Sequence, residues 1–264
     1  MKLDGAKALV TGGAVRIGRA IAEMLADAGC AVAVHYRQSA SEARALVERL
    51  RERTHAVCVA GDLESPEACR HAVDEAWRLL DGFGILVHNA SVFRKNTWET
   101  ATESDLTQDW NVNFRAPALM TSRLAERLCP ELLADDESRR ERTSGALRGK
   151  VVCLLDRRIS DADPSCVTYE LSKKALADYV RQAAVAFAPW LAVNGVAPGA
   201  ILPPRMVAAA ETGEPARDLA GPTLVQAPCG PEDVASAVRF LLENDAVDGQ
   251  TLFVDNGRHL LRGP

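Results

Sequence analysis

Short apolar runs of strand length alternate with longer segments of helical period along almost the whole chain, and this alternation restricts the fold more than any other feature. The strand-like runs lie at 6–11, 31–36, 55–60, 85–88, 151–155, 191–196 and 251–254. Between them, residues at 16–28, 41–53, 66–80, 106–133, 165–188 and 231–242 carry apolar side chains at helical spacing. In the first, Ile17, Ala20, Ile21, Met24 and Leu25 share one face and Gly29 stands at the C-cap. Ser41 is the expected N-cap of the second, and Pro66 opens the third. Strands separated by helices of this length form right-handed βαβ units, hence a parallel sheet covered on both faces. The fold class is α/β, a doubly wound parallel sheet of seven strands with helices on both faces, and 264 residues suit one such domain over 1–264.

Two segments interrupt the rhythm. Residues 134–149 (ADDESRRERTSGALRG) are highly charged and read as an exposed connection. Residues 199–230 are rich in proline and glycine and follow the carboxyl end of a strand, where such sheets bind ligands. A loop of that length reads as a lid over a substrate pocket.

The first strand runs into Thr11-Gly12-Gly13-Ala14-Val15-Arg16-Ile17-Gly18 and then a helix. Glycines there permit a tight turn and let backbone amides approach a pyrophosphate at the helix N-terminus. A glycine pair alone says little, but its place between the first strand and first helix is the context that nucleotide binding requires. The end of the second strand bears on the choice of cofactor. A carboxylate there accepts from the ribose 2′-hydroxyl of NAD. This chain instead has His35-Tyr36-Arg37-Gln38-Ser39. Arg37 can pair with a 2′-phosphate and Ser39 can donate to it, which favours NADP(H).

Tyr169-Glu170-Leu171-Ser172-Lys173 places a phenol and an ammonium at i and i+4, on one face of a helix. A free tyrosine is too weak an acid to work well at neutral pH, and a nearby ammonium favours its phenolate. Lys173 is therefore expected to lower the pKa of Tyr169.

Taken together, TGGAVRIG (11–18), HNAS (88–91), Asn113, YELSK (169–173) and VAPG (196–199), in that order and spacing, resemble the short-chain dehydrogenase/reductase family across essentially the whole chain. The resemblance implies a seven-stranded Rossmann sheet, a nicotinamide cofactor and a homotetramer. It places Gly12, Arg16, Ile17, Gly18, Tyr36, Arg37 and Ser39 along the cofactor, Asp62 and Leu63 by the adenine, and Asn89 and Ala90 along its length. Pro198 and Gly199 would border the nicotinamide, Lys173 would hold a ribose hydroxyl, and Asn113 would help to position Lys173.

Three departures narrow the resemblance. Arg16 stands where most members have glycine, Asp156 where most have serine, and Asn89-Ala90-Ser91 followed by Phe93 replaces an ending in glycine. These features resemble the pteridine reductases, and HNAS with GRHLLR (257–262) resembles their dihydromonapterin/dihydrofolate reductase branch. By that resemblance Asp156, Tyr169 and Lys173 are the catalytic set. Arg16 and Ser91 touch cofactor phosphate and pterin, Phe93 stacks on the pterin ring, and Arg262 reaches a neighbouring subunit's pocket. The chemistry agrees: a dihydropterin is reduced at a C=N bond, so a ring nitrogen must be protonated, and a carboxyl beside a tyrosine can serve. An aromatic ring opposite the nicotinamide suits a flat bicyclic substrate. The leading expectation is NADPH-dependent reduction of a dihydropterin of monapterin, biopterin or folate type. A ketone or quinone reductase is the alternative, disfavoured by the missing serine at 156. A nucleotide sensor with a dead site is the third, disfavoured by the intact Tyr169/Lys173 pair. Asn256 in VDNG replaces a glycine, so it must take the left-handed conformation that asparagine tolerates.

Composition excludes other classes. A net charge of −5 argues against nucleic acid or anionic membrane partners, and no apolar run approaches a membrane span. The first residues do not resemble a signal peptide. Seven scattered cysteines without a CxxC pair read as reduced thiols in the cytoplasm, and five scattered histidines offer no metal-ligand spacing.

Overall fold

A computed structural model describes residues 1–130, 146–201, 222–227 and 229–261. Seven parallel strands form one sheet in the order β3-β2-β1-β4-β5-β6-β7. They are β1 (Lys7–Val10), β2 (Ala31–Tyr36), β3 (Ala56–Ala60), β4 (Ile85–His88), β5 (Gly149–Leu154), β6 (Leu191–Pro198) and β7 (Thr251–Val254). Seven α-helices join them among the described residues: α1 (Arg16–Asp27), α2 (Ala40–Leu50), α3 (Pro66–Leu80), α4 (Glu103–Trp110), α5 (Ala116–Leu128), α6 (Val167–Phe187) and α7 (Pro231–Glu243).

Alternate strand residues feed two separate cores, as the pleat requires. Val10, Val34, Val87, Val152 and Val196 pack under α1, α2 and α7. Leu9, Ala33, Leu86, Val151 and Val193 pack under α3, α5 and α6. The strands are apolar at nearly every position because both faces are covered.

Chain order reverses between β1 and β4, so the crevice at their carboxyl ends is the switch point where such sheets take ligands. The segments after β1, β2, β4, β5 and β6 all open onto that edge, and they carry the residues singled out above.

Most element bounds agree with the sequence reading, and three details differ. The N-cap of α2 is Ser39, not Ser41, whose hydroxyl turns to Glu42 at 2.7 Å. The long helical region predicted to Leu133 ends at Leu128, and a π-helical turn, Asn111–Arg115, joins α4 to α5 without a break. Residues 131–145, most of the 199–230 segment (202–221 and 228), and Arg262 lie outside the described residues. Asn256 has φ 54, the left-handed conformation expected of it.

Candidate active site

The glycine turn is closed by packing. A Cβ on Gly18 would stand 2.3 Å from Gly12 O and 2.4 Å from Asn89 Nδ2, so only glycine fits. Asn89 donates from Nδ2 to Thr11 O and Gly12 O at 2.9 and 3.0 Å. Asn89 N and Ala90 N both donate to Thr11 Oγ1, at 2.9 and 3.0 Å. These bonds pin the end of β4 to the end of β1 and make one cradle at the α1 N-terminus, a form suited to a pyrophosphate. His35 supports it from below: Gly12 N donates to Nδ1 at 3.3 Å, and Nε2 faces Gly61 O at 3.2 Å. Arg16, the first residue of α1, has φ 56, a left-handed conformation at the position where the family mostly has glycine. Ile17 is half-buried beside it.

Beyond Tyr36, Arg37 is exposed and lies 3.5 Å from Asp62, while Leu63 is buried below. Ser39 sits at the α2 N-terminus. The residues that follow β2, Arg37 to Ser39, include no carboxylate, and they bring a guanidinium, paired with Asp62, and a helix start to this end of the crevice. This donor set fits a phosphorylated ribose.

Across the crevice, β5 ends in buried Leu154 and Leu155, and Asp156 caps a short 3₁₀ turn, Arg157–Ser160. Asp156 Oδ1 accepts from Arg158 N at 2.9 Å, which leaves Oδ2 to accept from Tyr169 Oη at 2.9 Å. Lys173, one turn along α6, donates to Leu154 O at 2.7 Å. Phe93 meets Tyr169 edge-on, with ring centroids 4.8 Å apart. The loop carrying Phe93 is stitched to α6: Asn96 N donates to Ser165 O at 3.0 Å, Asn96 Nδ2 to Thr168 Oγ1 at 2.8 Å, and Val167 N to Asn96 O at 3.2 Å. Ser91 donates to Asn113 Oδ1 at 2.9 Å. Pro198 ends β6, and Gly199 packs so closely on Asp255 that a Cβ would come within 2.9 Å of it.

The structure thus gathers Asp156, Tyr169, Lys173, Ser91 and Phe93 at one place, with Asn113 beside them. Its amide donates to Val92 O and to Ser172 Oγ, both at 3.0 Å, so it anchors the Ser91 loop to the residue before Lys173. The π turn turns it inward. One expectation needs correction: the net shift of the Tyr169 phenol is upward, not downward. Burial and the Asp156 carboxylate push Tyr169 well above its ordinary value. The ammonium lies 5.8 Å from the ring centroid and is spent on Leu154 O, whereas the carboxylate touches the hydroxyl. Burial lowers Lys173 itself to about 8.

His88 is buried, and its Nε2 meets Thr121 Oγ1 at 2.9 Å. Sequence reasoning passed over Arg158, whose Nη1 lies 3.2 Å from both Asp156 oxygens. The only sequence signal for Arg158 was its place between a strand end and the YxxxK helix. Among the described residues no helix is long and apolar enough to cross a membrane, and no His/Cys/Asp/Glu cluster suits a metal ion.

The comparisons with known proteins agree with this layout. Residues 13–259 match the family model described as enoyl-(acyl carrier protein) reductase. The solved structure of FolM alternative dihydrofolate reductase 1 from Brucella canis, complexed with NADP, superposes with a TM-score of 0.83 at 30% identity, covering 100% of this chain and 98% of that one. L-2,3-butanediol dehydrogenase of Corynebacterium glutamicum is 29% identical over 95% of this chain and 97% of its own. Dihydromonapterin reductase of Enterobacter sp. (strain 638) is 26% identical over 96% of each. Names for different substrates thus occur at similar identity. The chain belongs to the short-chain dehydrogenase/reductase family.

Proposed function

We propose that this NADP(H)-dependent oxidoreductase reduces a dihydropterin of monapterin, biopterin or folate type. The observation that carries the reading is the Asp156–Tyr169 pair, 2.9 Å apart, beside the Phe93 ring. NADP(H) fits the cradle built by Gly12, Gly18 and Asn89, with Arg37 and Ser39 toward the ribose 2′-position. Bound NADPH supplies the hydride.

This chain's residues supply the rest. Tyr169 is held protonated at neutral pH because its burial and the adjacent carboxylate both oppose the phenolate. A protonated phenol is what a reduction needs, since the nitrogen of the reduced C=N bond must gain a proton. Asp156 retains 15% side-chain exposure, so it can return a proton from solvent to the phenol after each turnover. Lys173, near half-charged at about pH 8, holds a ribose hydroxyl from the same helix face. Phe93, exposed by 40%, offers a ring for a flat substrate to lie on, and Ser91 offers a hydroxyl at its edge. Arg16 lies at the phosphate end. A tetrameric assembly with Arg262 entering a neighbour's pocket belongs to the same proposal.

The test is NADPH oxidation followed at 340 nm with dihydromonapterin, dihydrobiopterin and dihydrofolate from about pH 5 to 7.5, beside a panel of ketones. Turnover of the pterins supports the reading and ranks the substrates. Turnover of ketones alone overturns it in favour of a carbonyl reductase.

A further inference from the structure

We propose that Arg158 is a positioning residue of this site: its guanidinium fixes the Asp156 carboxylate against Tyr169 and roofs the Phe93 ring. The inference rests on Asp156 and Tyr169 being the proton-transfer pair, not on the substrate being a pterin.

A carboxylate on a short side chain can rotate about its last bond. Its hydrogen bond to a phenol is directional only if that rotation is stopped. Three contacts stop it here. Arg158 N takes Oδ1 at 2.9 Å, and Arg158 Nη1 spans both oxygens at 3.2 Å each. Only Oδ2 then faces Tyr169. The guanidinium is itself anchored from its other edge: Nε donates to Asp163 Oδ2 at 2.7 Å. Asp163 in turn accepts from Ser165 N and Oγ at 3.0 and 2.6 Å, at the start of α6. The planar fork lies with Cζ 5.6 Å over the Phe93 ring, which meets Tyr169 edge-on. One side chain therefore contacts the carboxylate and the ring, and both contact the phenol. A lysine supplies the charge but not two edges and a face.

The electrostatics point the same way. The charged and titratable groups facing Arg158 are Asp156 and Asp163 on its own connection, Cys166 just before α6, Tyr169 on α6, and neighbouring Arg157. Two carboxylates against this cation keep it charged. Arg158 also moderates the rise that Asp156 imposes on the phenol. Without it, the proton leaves Tyr169 less readily.

The experiment compares wild type, Arg158→Gln, Arg158→Lys and Asp163→Asn on whichever of the two panels the wild type turns over, with NADPH titration and circular dichroism on each. For Arg158→Gln we expect kcat lower by about 10²-fold with NADPH affinity within about twofold. Arg158→Lys should recover only part of kcat, because it restores the charge but not the two edges and the face. Asp163→Asn should lower kcat less, because it removes the anchor and leaves the guanidinium. The proposal is overturned if Arg158→Gln keeps kcat within about threefold, or if kcat and NADPH affinity fall together with a loss of folded signal while Asp163→Asn matches the wild type. Turnover of ketones with the expected split overturns the pterin reading alone. A wild type silent on both panels removes the proton-transfer pair, and this inference with it.

Discussion

Two residues at the site can be tested singly, and each sets chemistry against a structural role. Asp156 serves the turn through Oδ1 and the phenol through Oδ2. Serine keeps the cap, because its hydroxyl also accepts from a backbone N–H two residues on, but it removes the carboxylate. Asp156→Ser should therefore lower kcat on a pterin by a factor on the order of 10²–10⁴. NADPH affinity should hold within about twofold, and equal losses in both parameters would count against proton transfer. Arg16 is the converse case. Its φ of 56 costs a non-glycine residue roughly 1–2 kcal/mol, offset in part by the greater freedom glycine gives the unfolded chain. Arg16→Gly should leave the melting temperature equal or raise it by a few degrees, while the KM for NADPH or pterin rises several-fold. A fall in melting temperature with unchanged KM values would make Arg16 a structural residue. Strain kept at a ligand-facing position is the pattern expected of a functional site.

At the scale of elements, much of the molecule was legible because its signals are local. The α3 bounds follow from Pro66 and the Ser65 cap, whose hydroxyl accepts from Ala68 N at 3.2 Å. The glycine turn and the YxxxK spacing likewise declare themselves within a few residues. What stayed hidden depends on contacts between distant segments. The π turn at Asn111–Arg115 shifts the hydrogen-bond register by one residue, yet NVNFR contains neither proline nor glycine to mark it. Arg158 reaches Phe93 only because Asn96 ties the loop after β4 to the start of α6. Lys150 is a third such case: a lysine in an apolar strand reads as an interruption, yet it is 1% exposed. Its ammonium donates to Leu241 O at 3.2 Å and Asn244 O at 2.7 Å, and it pairs with Asp245 at 2.8 Å, satisfying carbonyls that the end of α7 leaves open. Lys150→Met keeps the length and leaves those acceptors without a donor. It should cost about 1–3 kcal/mol in urea unfolding with little change in kcat. Wild-type stability in that variant would mean that water replaces the ammonium.

For the whole molecule, the buried histidines tie stability to pH. Burial lowers His35 to about 4 and His88 to about 3, against an ordinary value of 6.5. Both rings are therefore neutral in the folded protein and take up protons on unfolding below pH 6.5. The unfolded state binds more protons there, so stability is full above pH 6.5 and falls as pH drops toward about 4 for His35 and 3 for His88. Between pH 6.5 and 5, each histidine should cost roughly 2 kcal/mol. Asp105, held near 2 by Thr102 and Arg94, stabilises above the ordinary carboxylate value of 3.8 and loses that contribution only as pH falls from there toward 2. The cost of burying Lys173 changes with pH only between about 8 and the ordinary 10.5. His35 makes the effect local as well as global. Gly12 N donates to its Nδ1, so a proton on that nitrogen breaks a bond that supports the glycine cradle. Urea unfolding at pH 7.5, 6 and 5 should thus show a steep acid loss in the wild type. His88→Asn, which keeps a donor for Thr121, should lose roughly 2 kcal/mol less over the same range. Parallel curves would mean that His88 titrates alike folded and unfolded. A flat wild-type curve would say the same of both rings. The acid loss also bounds the assay, because a gain in turnover toward pH 5 must be read against a shrinking folded population. Unfolding curves at each pH separate the two.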